Sequence, residues 1–378
     1  MSTLLKVDSL TIHYTTRRGT VRAVDNVSFS MKKGETFGVV GESGSGKSTL
    51  GLSLMRLVPH PGRIVRGRII IDGTDILSLS EKKMRSIRGR KVAFVFQDPM
   101  TSLNPVKKIG AHFVECLRAH EAKISEEKWL KLVETTLKMM RPTKGRKVPF
   151  IFQDPIASLN LLKEIRASFV EYIRTREPKI SGEQALKRAE IILNELGILP
   201  ERINDYPHQF SGGMRQRIMI GLAIALNPKL VIADEPTTAL DVIVQAKILD
   251  ILKNLCEAHE MALILITHDL SIVLERCDKI IVMYAGHLVE YADTIEIHKD
   301  PKHPYTKGLL TTIPNIELAE QKLEAIPGSP PNLLNPPKGC SFWPRCSYAM
   351  EICRLKEPPI INVGTDHLVR CFLYGGTT

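Results

Sequence analysis

Nothing in this sequence is long and apolar enough to cross a bilayer. Its longest apolar stretches, such as Lys229-Leu230-Val231-Ile232-Ala233 and Ala262-Leu263-Ile264-Leu265-Ile266, are of strand length, whereas a spanning helix needs about 20 apolar residues. No transmembrane helix is therefore expected. The segment Met1-Ser2-Thr3-Leu4-Leu5-Lys6-Val7 lacks the basic region and apolar stretch of a secretory signal, so the chain is expected to stay in the cytoplasm. Its seven cysteines include no Cys-x₂₋₄-Cys pair of the kind common in zinc sites, and structural disulfides are not expected in that compartment. Cys116, Cys256 and Cys277 lie in helix-like or apolar segments and read as core residues. The net charge of +11 is compatible with an acidic partner, but solvated lysines account for it, and no nucleic-acid partner is expected.

At 378 residues, the chain is long enough for one large domain and a smaller appendage. Short alternating strands are predicted at Leu5–Val7, Leu10–Tyr14 and Ala23–Phe29. The apolar run Glu35–Val40 leads into a glycine-rich loop, and Ser48–Met55 then reads as a helix. From Leu230 to Val289, strand-like runs alternate with helical patterns, which implies an α/β fold with a mostly parallel sheet covered by helices. Beyond residue 300, eleven prolines from Pro301 to Pro359 break any periodicity, and the tail reads as irregular.

An internal repeat lies between these regions. Arg90-Lys91-Val92-Ala93-Phe94-Val95-Phe96-Gln97-Asp98-Pro99 returns 56 positions later as Arg146-Lys147-Val148-Pro149-Phe150-Ile151-Phe152-Gln153-Asp154-Pro155. Residues 85–140 and 141–196 form a tandem duplication, which is too few copies for a solenoid.

The loop Gly41-Glu42-Ser43-Gly44-Ser45-Gly46-Lys47-Ser48, followed by Thr49, sits between a strand and a helix. Its glycines let backbone N–H groups turn around phosphate oxygens, and the helix N-terminus adds partial positive charge. Lys47 suits the β- and γ-phosphates, and the Ser48 hydroxyl suits Mg²⁺. Leu230–Ala233 ends in Asp234 and Glu235, two carboxylates at a sheet edge. Asp234 is the candidate Mg²⁺ ligand and Glu235 the candidate base for an attacking water.

Phe210-Ser211-Gly212-Gly213-Met214-Arg215-Gln216-Arg217 resembles the signature motif of ABC ATPases. The resemblance runs from about residue 4 to 290 and includes Thr238-Ala239-Leu240-Asp241 and the switch histidine in Thr267-His268-Asp269. It implies an ABC-type P-loop ATPase with an antiparallel β subdomain and a helical subdomain, spanning 1–290 and followed by an extension over 291–378. It also implies that ATP lies between two such domains. Ser211, Gly212 and Gly213 would meet the nucleotide of a partner subunit, and Asp241 would lie at the shared site. His268 would contact the γ-phosphate in its own subunit, and Tyr14 would stack on adenine.

The family carries one glutamine loop at the Mg²⁺ site, and this chain offers two. Pro149 would remove a ladder hydrogen bond from a central strand, which favours Gln97 over Gln153 as catalytic and metal-site glutamine. The helix before the signature, with Leu186, Ala189, Leu193 and Leu196 on one face, is expected to come from the second copy.

Cys340, Cys346, Cys353 and Cys371 can supply four thiolates, enough for zinc or a [4Fe–4S] cluster. The tail, with His303-Pro304-Tyr305-Thr306, resembles the C-terminal extension of oligopeptide and dipeptide permease ATPases, some of which hold an iron–sulfur cluster there, so the cluster is favoured. That resemblance implies an ATPase energising peptide uptake from the cytoplasmic face of the cell membrane. Its partners would be a second, different ATPase, two transmembrane permease subunits and, indirectly, an extracytoplasmic substrate-binding protein. Related systems move oligosaccharides or nickel. The rival of another class, an ABC ATPase of DNA repair or translation, would carry a long coiled coil or two nucleotide domains, and neither is present. A regulatory or inactive relative, impaired by the duplication, is the third alternative.

Overall fold

The computed structural model describes residues 2–95, 182–205, 209–237, 241–313 and 326–375. Gln97, Gln153, Cys116, residues 238–240 and most of the duplication lie outside them. The first part of the chain forms β1 (Thr3–Thr16), β2 (Gly19–Lys32), β3 (Thr36–Val40), α1 (Lys47–Leu54), β4 (Gly62–Ile71), β5 (Thr74–Asp75), α2 (Glu81–Ile87) and β6 (Val92–Val95). It continues with α3 (Gly182–Glu195), α4 (Gly212–Ile224), β7 (Leu230–Asp234), α5 (Val242–Ala258), β8 (Ala262–Ile266), α6 (Leu270–Arg276) and β9 (Lys279–Tyr284). The last elements are β10 (His287–Asp293), α7 (Thr294–Lys299), α8 (Pro304–Thr311), α9 (Glu351–Leu355), β11 (Ile361–Gly364) and β12 (His367–Val369).

An antiparallel sheet in the order β2-β1-β4-β5 lies against a larger sheet in the order β11-β12-β10-β9-β3-β8-β7-β6. In the larger sheet β9, β3, β8, β7 and β6 run parallel. Side chains alternate across it as the pleat requires. Val40, Val231, Ala233, Leu263 and Val282 enter one core with helices α3 to α6. Phe37, Val39, Ile232, Ile264 and Ile281 enter the other with the antiparallel sheet and α1. Burial on both faces explains why these strands read as unbroken apolar runs.

The first two predicted strands are one strand. Ser9, at φ 49°, forms a bulge in β1 between Val7 and Leu10. Its N–H donates to Ser28 Oγ at 2.8 Å, so the break in the ladder leaves no orphan donor. Gly67 in β4, at φ +104°, makes room on the other side: a Cβ there would stand 2.6 Å from Leu10 Cα.

β6 comes from the first copy of the duplication, and it is the outermost strand of its sheet among the described residues. An edge position tolerates proline better than a central one, which weakens the objection to Pro149. α3 comes from the second copy as expected, with Ala189, Leu193 and Leu196 fully buried; the Leu186 side chain lies outside the described residues.

The proline-rich tail folds back onto the large sheet. β12 pairs with β10 through Glu290↔Val369 and Tyr291↔Leu368. Glu290 is completely buried; its carboxylate accepts the N–H groups of Lys302 at 2.7 Å and His303 at 3.0 Å and lies 2.8 Å from His367 Nε2. A buried carboxylate this well supplied with hydrogen bonds is tolerable where an isolated one would not be. Among the described residues no helix is long and apolar enough to cross a membrane.

Candidate functional site

The glycine loop leaves the C-terminal end of β3, the strand between β8 and β9. Gly41, Gly44 and Gly46 all have positive φ, at 150°, 78° and 101°. Two of them also have no room for a side chain. A Cβ at Gly41 would lie 2.1 Å from Met283 O, and one at Gly46 would lie 2.1 Å from Ala23 O. Gly46 caps α1, so the loop delivers the helix N-terminus with its free N–H groups. Ser43 and Gly44 are exposed, while Ser45 is buried. Lys47 folds back over the loop, where its Nζ donates to Gly41 O at 2.6 Å and to Glu42 O at 2.9 Å. Burial pulls its pKa down, against the attraction of Glu235, Asp234 and Glu42. An arriving phosphate would offer this desolvated ammonium the countercharge it lacks.

Asp234 ends β7 beside α1. Ser48 Oγ donates to Asp234 Oδ1 at 3.0 Å, which puts a hydroxyl and a carboxylate oxygen together, a donor set that suits a hard cation such as Mg²⁺. Burial, with help from Glu235, pushes the Asp234 carboxyl up to about 6, opposed by the Ser48 hydrogen bond and Lys47. Glu235 follows at φ 43°, and its N–H donates to Ile266 O at 2.9 Å. That bond ties the Glu235 main chain to β8, which also carries the chain to His268. His268 Nδ1 lies 3.1 Å from Glu235 Oε1, with the imidazole largely exposed. The acid pair and the histidine, identified separately in the sequence, thus converge beside the phosphate loop.

The signature residues stand on another element. Ser211 and Gly212 are exposed, and Ser211 caps α4 by accepting the Met214 N–H at 3.4 Å. Gly213 has a packing role of its own, since a Cβ there would meet Val244 Cγ1 of α5 at 2.8 Å. Asp241 caps α5 through Val244 N–H at 2.9 Å. Tyr14 is half-buried at the end of β1, its ring lying over Gly62.

Sequence reasoning gave no role to two residues that touch the loop, or to the loop residue that they hold. Arg345, in the tail, forks onto the Glu42 carboxylate at 2.6 and 2.9 Å. Tyr305 Oη accepts the Glu42 N–H at 2.9 Å. Glu42 itself occupies a position where the loop pattern accepts any residue, so nothing marked it.

Cys256 and Cys277 are core residues as expected, their thiols pushed up to about 12 by burial. Cys340, Cys346, Cys353 and Cys371 line a single cavity together with Phe342, Trp343 and Met350. Burial raises the Cys340 thiol to about 11, and the neighbouring sulfurs add to the shift. Even so, among the described residues no group of three or more His, Cys, Asp or Glu is disposed to hold a metal ion. The expected iron–sulfur cluster therefore finds no preformed ion cage.

Residues 24–238 match the ABC transporter family, and residues 289–353 match the oligopeptide/dipeptide transporter C-terminal region. The oligopeptide transport ATP-binding protein OppD of Bacillus subtilis is 43% identical over 98% of this chain and 88% of its own length. The dipeptide transport ATP-binding protein DppD of Escherichia coli is 40% identical over 97% of this chain and 96% of its own length. Among solved structures, the ATP-binding cassette MJ0796 bound to ADP and Pi, a dimer, has a similar fold, with 24% identity and a TM-score of 0.55 over 77% of this chain and 99% of that one.

Proposed function

Since this chain belongs to the ABC transporter family, we propose that it is the ATP-binding and ATP-hydrolysing subunit of an importer of di- or oligopeptides. The observation that carries the proposal is the meeting of Lys47, Ser48, Asp234, Glu235 and His268 at the ends of adjacent strands, in a chain whose relatives named for peptide transport match it over nearly its whole length. In this reading the loop from Gly41 to Thr49 binds the phosphates of ATP. Ser48 and Asp234 would hold Mg²⁺, which would offset charge on the transferred phosphoryl group. Glu235 takes the proton of the attacking water, and His268, against its carboxylate, orients it and meets the γ-phosphate. Tyr14 stacks on the base. Gln97, with Gln153 as its alternative, completes the metal site.

Exposed Ser211 and Gly212, at the N-terminus of α4, fit a half-site completed by a second ATPase subunit, with Gly213 and Asp241 beside them. The assembly would dock on the cytoplasmic face of two permease subunits, served by an extracytoplasmic binding protein. The core at 1–290 hydrolyses ATP and the extension at 291–378 accompanies it. The four tail thiols are proposed to hold a [4Fe–4S] cluster. Their convergence on one apolar cavity supports this, and a cluster spreads its cysteines wider than a single ion does.

Glu235→Gln is expected to lower kcat by about 10²–10⁴-fold with ATP still bound, and the same change should stop peptide uptake by the co-expressed permease. Uptake of nickel or oligosaccharide instead of peptide would overturn the cargo assignment, and ATPase activity untouched by Glu235→Gln would overturn the mechanism. Gln97 and Gln153 are separated by substituting each alone, since loss with Gln153 only would reverse that choice. Colourless, iron-free protein after anaerobic purification would remove the cluster.

A further inference from the structure

The C-terminal tail reaches into the phosphate loop at a single residue and grips it twice. The Glu42 main-chain N–H donates to Tyr305 Oη at 2.9 Å. Its side chain receives a two-pronged guanidinium contact, Arg345 Nη1 to Oε2 at 2.6 Å and Nη2 to Oε1 at 2.9 Å. This planar fork is the geometry in which arginine binds a carboxylate best. Arg345 is almost fully buried and is fixed before it meets Glu42. Its Nε donates to Pro327 O at 2.8 Å and its Nη1 to Tyr284 Oη at 3.3 Å. The rings of Tyr284, Tyr305 and Phe342 pack on one another with centroids 4.6 to 5.4 Å apart, forming a rigid seat for both gripping groups. Arg345 also closes the short helical turn Trp343–Arg345 between Cys340 and Cys346, so the cysteine-lined lobe sets where its guanidinium stands.

We infer that Arg345 is a positioning residue of the nucleotide site, acting through Glu42. The inference rests on reading the glycine loop as the ATP site. Its chemistry follows from the position of the acid. Glu42 contributes a carboxylate to a loop shaped to receive anions, and its backbone carbonyl already accepts Lys47 Nζ at 2.9 Å. Left unpaired, that carboxylate would repel the incoming phosphates and compete with them for Lys47, whose charge it already attracts. The fork cancels the carboxylate's charge and engages both of its oxygens, leaving Lys47 to the nucleotide. ATP affinity is thereby made to depend on the docked tail, a dependence that no part of the loop motif itself requires.

The test is a charge-removal cycle on the full chain, read by ATPase kinetics and by binding of a fluorescent ATP analogue. Arg345→Gln is expected to raise KM for ATP about tenfold with kcat within about twofold, because the affected interaction is made equally in ground and transition states. The double variant Arg345→Gln with Glu42→Gln is expected to return KM toward the wild-type value, since it removes the carboxylate that Arg345 neutralised. A purely structural role gives the opposite result, a double variant at least as impaired as the single, and that outcome overturns the inference. An unchanged KM in Arg345→Gln overturns it as well. If Arg345→Gln does not fold, Arg345→Met applies the same test with the charge removed and an apolar stem kept in the aromatic seat, and a rise in KM that Glu42→Gln relieves is then required. Lys47→Ala serves as the control. If it still binds nucleotide, the ATP-site reading itself fails; if it does not bind and Arg345→Gln is silent, only the positioning role fails.

Discussion

Alanine at Gly46 is expected to destabilise the protein by about 2–5 kcal/mol, whereas alanine at Gly44, two residues earlier, is expected to cost about 1–2 kcal/mol. Both positions have φ in the left-handed region, +101° and +78°, where an L-residue is disfavoured by roughly 1–2 kcal/mol. They differ in space. A Cβ at Gly46 would lie 2.1 Å from the carbonyl oxygen of Ala23, while one at Gly44 would have no atom within 4 Å. The obstacle at Gly46 cannot swing aside, because Ala23 is backbone within β2 and Gly46 is itself the cap of α1. Forcing such a pair apart shifts main chain and adds about 1–3 kcal/mol to the conformational term. Urea unfolding of both variants without nucleotide measures the difference directly, with the midpoint falling at unchanged slope. Equal losses at the two sites would refute the reasoning, since the collision would then contribute nothing.

Two pH-linked predictions follow from buried and paired groups. Complete burial pushes the His303 imidazole down to about 4, against the pull of Glu290. The folded state thus favours the neutral ring, and this contribution is whole above about 6.5 and lost as pH falls through about 4. Tail docking, followed by limited proteolysis, should weaken over that window in the native protein and much less in His303→Gln; identical profiles would discount the residue. Asp72 is held down to about 2 chiefly by hydrogen bonds from Lys229 at 2.8 Å and Lys91 at 3.0 Å. Its contribution is present above about 4 and disappears as pH falls through about 2. Solvent screening reduces the effect, so Asp72→Asn is expected to lose about 1 kcal/mol at pH 7 in chemical denaturation. No loss would mean that the ion triad is fully screened.

The parts of the molecule legible in its sequence are those whose chemistry is local. Gly41 to Ser48 carries strand, turn and helix start within a few residues, and Asp234 and Glu235 end an apolar run that could be little but a buried strand. Ser211 and Asp241, each opening a helix, are helix caps by residue type as well as by geometry. What escaped depends on distant partners. The Ser9 bulge is licensed by Ser28 and Gly67, and Gly213 is required by Val244, neither of which has a periodic signal. The tail reads as irregular because prolines mask its two short strands, and its pairing with β10 rests on main-chain bonds that composition does not encode. Arg345 and Glu42 are an acid and a base among 93 charged residues, and only the folded chain selects that pair.

The span between those two residues also has a consequence in time. Glu42 and Arg345 are 303 positions apart, and a ribosome adding about 5–20 residues per second needs roughly 15–60 s to traverse that interval. During synthesis the glycine loop therefore emerges long before the arginine that completes its surroundings. A nascent chain would hold a phosphate loop with an unopposed carboxylate until Arg345 is made. Full nucleotide affinity would then wait until the tail carrying Arg345 has been made and docked, and subunits lacking it would be poor competitors for ATP.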